Sequence, residues 1–252
     1  ITLGDGGKTV IAGTGSDSVT SGSGDDTILG DNGSITYTAG IATLLQSSDP
    51  DASTEGDDII QAGDGHNRIL AGLGSDSVTT GSGHDVVLGD NGTLTYSNNI
   101  LIAARSTDTS LGGDDHLILG DGDNRAIAGQ GDDTVTAGDG NDRILGDNGE
   151  LHQDTDGVIT QMISTDIGNG GADSITLGDG DKTVIAGAGS DTIVAGAHGT
   201  QQVIGDSGEL RFATGALQRM SSLADTQGGQ DSITLSGDLN RVIGGSDNDS
   251  IN

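Results

Sequence analysis

The chain has 252 residues, with 47 Gly, 39 Asp and Glu against 9 Lys and Arg, a formal charge of -30 and only 1% aromatic residues. So few large side chains exclude a conventional core, and the charge excludes nucleic acid and anionic membrane as partners, because both require a basic surface. There is no Cys, and no apolar run approaches the ~20 residues of a membrane helix, so no membrane insertion is expected.

Taken in order, the chain alternates two kinds of segment. Residues 1–33 are a truncated block of nonapeptides, and 34–56 form a segment of different composition. Residues 57–92 divide without remainder into DDIIQAGDG, HNRILAGLG, SDSVTTGSG and HDVVLGDNG, followed by a second segment at 93–113. Block 114–149 repeats the scheme, then segment 150–171, then block 172–208 with one inserted residue near His198. Segment 209–229 and a truncated block, 230–252, complete the chain. Block ends at Gly33, Gly92, Gly149 and Gly208 recur every 57 to 59 positions. The partial repeats at both ends predict one continuous solenoid cut from a longer array.

Each intervening segment pairs two apolar stretches around a turn signal: Thr38-Ala39-Gly40, Asn98-Asn99, Asp154-Thr155-Asp156-Gly157 and Thr214-Gly215. This predicts a β-hairpin that leaves and rejoins the solenoid. A flexible linker is the alternative, though linkers are seldom so rich in Leu, Ile and Met.

Within the nonapeptides, position 4 is aliphatic, as in Val19, Ile60, Val78, Leu117, Ile144, Val184 and Val203, which fits a short strand pointing one residue inward. The Gly-x-Gly that follows allows a tight turn of positive φ. One nonapeptide is then one strand and one turn, and two make a coil. Position 2 carries Asp17, Asp26, Asp58, Asp76, Asp85, Asp115, Asp133, Asp142, Asp173, Asp191, Asp231 and Asp249. Carboxylates stacked at the ~4.8 Å spacing of neighbouring strands repel one another unless a cation lies between them. Calcium suits the position, since it accepts 6–8 oxygen ligands from carboxylates and backbone carbonyls, whereas magnesium requires tighter octahedral geometry. The block-end Asp31, Asp90, Asp147 and Asp206 are secondary metal candidates.

The run Ala/Gly-Gly-x-Gly-x-Asp-x-aliphatic-x, as in Ala12–Thr20, Ser21–Leu29, Ala71–Thr79, Ala128–Thr136, Ala137–Leu145 and Ala186–Val194, resembles the repeats-in-toxin, or hemolysin-type, calcium-binding repeat. The resemblance covers nearly all the nonapeptide blocks and leaves the hairpin segments outside. It implies an all-β, right-handed parallel β-roll that binds multiple Ca2+ ions and folds outside the cell after export, generally by type I secretion.

Alternate nonapeptides stack on the same side of such a roll. One side reads Asp17, Asp58, Asp76, Asp115, Asp133, Asp173, Asp191, Asp231 and Asp249, a full ladder. The other reads Lys8, Asp26, Asn67, Asp85, Asn124, Asp142, Lys182, Gln202 and Asn240. This second ladder is diluted, and Lys8 and Lys182, each three residues after an Asp (Asp5, Asp179), are read as stand-ins for a cation or as neutral variation in surface turns. Position 5 divides likewise. It is mostly Thr on the first side, but on the second it is Ile11, Leu29, Leu70, Leu88, Ile127, Leu145, Ile185, Ile204 and Ile243. An outward aliphatic ladder must be covered, and the hairpin residues Tyr37, Leu44, Tyr96, Ile102, Met162, Phe212 and Met220 are expected to cover it. An interface with another copy of the chain is the rival.

His66, His84, His116, His152 and His198 lack zinc spacing, and the acidic pairs recur in every block where a catalytic site would be single, so no enzyme is expected. The expected role is a calcium-stiffened structural element of a secreted or cell-surface protein, such as an adhesin, surface layer or filament, able to associate with copies of itself. Two alternatives remain: a folding and secretion module of a toxin or enzyme, and ice binding by the Thr ladder.

Overall fold

The computed structural model describes residues 1–48, 56–223 and 228–252. Among these there is no helix; short strands build three sheets of nine, eight and nine strands. The two nine-stranded sheets are parallel and form an all-β parallel β-roll. The first-side sheet runs from Ser18–Thr20 and Ile59–Gln61 through Ser77–Thr79 and onward to Ser250–Ile251, and the second-side sheet from Thr9–Ile11 and Thr27–Leu29 to Leu239–Ile243.

Sheet register follows from the nonapeptide length. Val19 lies opposite Ile60, and Ile60 opposite Val78. Neighbouring first-side rungs are 18 residues apart within a block and 39 to 41 apart across a hairpin. The hairpins therefore leave the phase of the roll intact.

Position 4 residues of both sheets meet in one core, with Ile28, Ile60, Ile69, Val78, Val135, Ile144, Ile175, Val184 and Ile193 buried. Position 6 also points inward, as Ala62, Ala71, Leu119, Ala128, Ala137, Leu177, Ala186 and Leu235. The interior thus uses two residues per rung, as the period-2 alternation of a strand requires, rather than the single one expected.

The hairpins form the third sheet, which is antiparallel. Gly33–Thr38 pairs with Ile41–Ser47, Gly92–Ser97 with Ile100–Ser106, Gly149–Gln153 with Ile159–Ser164, and Gly208–Ala213 with Ala216–Ser222. Successive hairpins also pair with each other. Three of the turns place paired residues at positive φ, at Ala39-Gly40, Asn98-Asn99 and Thr214-Gly215, the geometry that matches strand twist. In the fourth, Asp154 Oδ1 accepts the amides of Asp156 and Val158.

This sheet lies over the second side. The register aligns Ile35, Leu45, Leu94, Ala104, Leu151, Met162, Leu210 and Met220 in one transverse row. That row packs on Leu29, Leu70, Leu88, Ile127, Leu145, Ile185 and Ile204. Ile11, which precedes the first hairpin, is 44% exposed, so the cover comes from the hairpins themselves. The residues supplying it differ in part from those expected. Leu45 and Leu101 are buried where Leu44 and Ile102 are only half-buried, and Tyr37 is exposed. A β-bulge opposite Thr36/Tyr37 and Thr95/Tyr96 shifts the alternation by one residue. The block-end glycines permit the approach: a Cβ on Gly33, Gly92 or Gly149 would collide with Leu29, Leu88 or Leu145, over which the departing strand passes.

Candidate metal centre

The first-side aspartates form an unbroken backbone-to-carboxylate ladder. The amide of Asp17 donates to Asp58 Oδ1 at 2.8 Å, that of Asp58 to Asp76 Oδ1 at 2.7 Å, and that of Asp76 to Asp115 Oδ1 at 2.8 Å. The pattern continues through Asp133, Asp173, Asp191 and Asp231 to Asp249. Each carboxylate thus uses one oxygen to join two coils. The other oxygen, Oδ2, is buried and has no hydrogen-bond partner in Asp58, Asp76, Asp115, Asp133, Asp173, Asp191 and Asp231. Native proteins rarely leave buried acceptors in that condition, and cations along the row would satisfy all seven. Asp17 and Asp249, at the ends of the ladder, are only half-buried.

Burial and mutual repulsion raise the affinity of these carboxyls for protons. Burial pushes Asp58 up to about 6, Asp133 and Asp231 to about 7, and Asp76 and Asp191 to about 8. Burial drives Asp115 and Asp173 well above the carboxylate range, with neighbouring aspartates adding to the rise.

The secondary candidates join the same column. Asp90 Oδ2 accepts the amide of Gln130, and Asp147 those of Ala188 and Gly171, so each carboxylate braces the next first-side turn. Asp31 does so through Leu73, and Asp206 through Ser246 and Gly229. The charge on Asp90 raises Asp115, and that on Asp147 raises Asp173, which places these block-end groups beside the main ladder. Burial pushes Asp147 itself to about 9.

The second side is arranged differently. Its amide ladder runs from Lys8 through Asp26, Asn67, Asp85 and Asn124 to Asp142. Asn67 Nδ2 donates to the carbonyls of Gly63 (2.9 Å) and Gly65 (3.5 Å), and Asn124 Nδ2 to those of Gly120 (2.9 Å) and Gly122 (3.2 Å). Lys8 Nζ caps the carbonyls of Asp5 and Gly6. Lys182, which is fully buried, reaches back one coil to Gly138 O (3.1 Å), Gly140 O (2.8 Å) and Asp142 Oδ2 (2.6 Å). Its partner is therefore Asp142 and not Asp179, because stacking brings the preceding turn closer than the residue three positions earlier. The rung after Lys182 is Gln201, not Gln202: the insertion near His198 moves the register by one, pairing Lys182 with Gln201. Gln201 Nε2 donates to Gly180 O and His198 O. The ammonium groups of Lys8 and Lys182 were read from the sequence as stand-ins for a cation; the amide donors Asn67, Asn124 and Gln201 were not, although an amide at that position was their visible sign.

Oxygen ligands dominate throughout. Among the described residues no three His, Asp or Glu side chains converge on one point. An ion between first-side coils must then combine carboxylate oxygens with backbone carbonyls, the mixture calcium accepts. The first-side turns keep their carbonyls close: Gly131, at φ +130°, stacks so tightly on Gly113 that any side chain would strike its carbonyl. The residues present fit calcium.

Comparison with known families decides the relationship. Residues 3–34, 53–93, 118–150 and 167–197 match the RTX calcium-binding nonapeptide repeat in four copies. The chain belongs to this RTX family. It is thereby a calcium-binding structural repeat region, of a kind typical of proteins exported by type I secretion that act outside the cell. A search of curated proteins found no match to the chain. The RTX match stops short of the hairpin turns at residues 98–99 and 155–157, so most of the third layer lies outside the matched repeats.

Proposed function

We propose that this RTX region is a calcium-stiffened structural element of a secreted or cell-surface protein, with no catalytic role of its own. Calcium ions are held along the first side by Asp17, Asp58, Asp76, Asp115, Asp133, Asp173, Asp191, Asp231 and Asp249, with Asp31, Asp90, Asp147 and Asp206 beside them. The observation that carries this reading is the row of buried Oδ2 atoms without partners. When bound, calcium supplies the positive charge that lets the coils stack. The chain's own residues supply the rest: Oδ1 atoms join coils, glycine turns leave room, and the hairpin sheet gives the second side a hydrophobic backing.

The role as a stiff element is favoured over a secretion module by the hairpin sheet, whose continuous apolar row adds a layer that ion binding does not require. Extracellular calcium modules bind in the range of about 10⁻⁴–10⁻³ M, so the chain would stay unfolded before export and fold outside. Circular dichroism with calcium and with EDTA tests the reading. Strand signal should appear on calcium addition; full strand signal in EDTA at neutral pH would refute it.

A further inference from the structure

The second side sorts its turns by what fills them. At five turns a side-chain nitrogen bonds the inward carbonyls: those of Lys8, Asn67, Asn124, Lys182 and Gln201. Among the described residues no such donor reaches the turns Gly22–Gly24 and Gly81–Gly83. Those two turns lead directly into Asp26 and Asp85, whose buried Oδ2 atoms have no hydrogen-bond partner. The third aspartate of this series, Asp142, has its Oδ2 bonded by Lys182, whose ammonium also takes both carbonyls of the turn Gly138–Gly140. Carboxylate and turn are thus either both unfilled or both filled.

We infer that the second side holds calcium at Asp26 and at Asp85, and that Lys182 serves as an internal cation that closes the equivalent position at Asp142. This rests on the calcium reading above. The chemistry is that of substitution: an ammonium donating to two carbonyls and a carboxylate satisfies the same oxygens that a calcium ion would bind, and its charge repels a second cation. At Asp85 the neighbouring groups are the Thr80 hydroxyl and the Asn67 amide, which are neutral and cannot take that part. The adjacent rungs cannot do so either. Asn67 and Asn124 offer neutral amides that fill their own turns and bring no positive charge to the neighbouring aspartates Asp85 and Asp142. The second side therefore carries isolated sites one super-repeat apart, in contrast to the column on the first.

The test counts calcium ions per chain by native mass spectrometry, with a calorimetric titration alongside. Lys182→Asn, which installs the residue found at Asn67 and Asn124, should bind one ion more than the parent. Asp142→Asn in the parent should leave the count unchanged, while Asp85→Asn should lower it by one. An equal count in the parent and Lys182→Asn, or loss of an ion in Asp142→Asn, overturns the inference while the first-side reading stands. A parent chain that binds no calcium refutes both. If Lys182→Asn fails to fold, the Asp142→Asn and Asp85→Asn pair still decides.

Discussion

Lys182 Nζ lies 2.6 Å from Asp142 Oδ2, and both side chains are wholly inaccessible to solvent. Removing one partner of a buried pair strands the other's charge, at a cost of about 3–5 kcal/mol. Lys182→Met should therefore lose about that much in denaturant melts at the lowest calcium concentration that folds the parent. Raising calcium should recover part of the loss, because an ion can then occupy the position. A melt that shows the same deficit at every calcium concentration would separate the two roles.

The calcium-free chain should respond to acid in the direction opposite to most proteins. The pKa values of Asp76, Asp133, Asp191 and Asp231 in the roll, about 7 to 8, lie above the usual carboxylate value of 3.8. The folded chain then binds more protons than the unfolded one, and stability falls as pH rises from near 4 through 8. In EDTA, the strand signal in circular dichroism should grow as pH is lowered from 8 to 5. With calcium bound the trend should flatten. A calcium-free chain that loses structure on acidification would contradict the burial of this column.

Asp133 sits mid-column, and Asp133→Asn keeps an oxygen for the Asp115 amide while removing the charge. The variant should need several-fold more calcium to fold, measured as the midpoint of a calcium titration, with its strand content at saturation unchanged.

The hairpin sheet and the ion column should behave independently. Leu94 is fully buried against the second side, and Leu94→Ala should cost about 2–5 kcal/mol through loss of contact and a residual cavity. Its calcium count should equal the parent's. A fall in bound ions would show that the hairpin layer positions the column.

Much of this was legible because a nine-residue period leaves few choices. One strand and one turn per nonapeptide account for the burial of Val19, Ile60 and Val78 and for the alignment of Asp58 with Asp76. The turns at Asn98-Asn99 and Thr214-Gly215 were readable from Asn98, Asn99 and Gly215, residue types that tolerate positive φ. Local pattern failed where alternation is interrupted. The bulges beside Tyr37 and Tyr96 moved burial from Leu44 to Leu45 and from Ile102 to Leu101, and the insertion near His198 moved the rung from Gln202 to Gln201.

The sequence by itself determined the roll, its two unequal sides and the aspartates that line them, because each follows from residue types repeated at a fixed spacing. Tertiary structure decided which groups meet between coils. Asp142 and Lys182 are far apart in sequence, and only stacking of successive turns brings the ammonium onto that carboxylate. The same holds for the row from Ile35 to Met220, since antiparallel pairing between successive hairpins sets which apolar residues align over the second side. Spacing along the chain specifies one coil; contacts across the stack depend on how coils are superposed, and that is a property of the folded assembly.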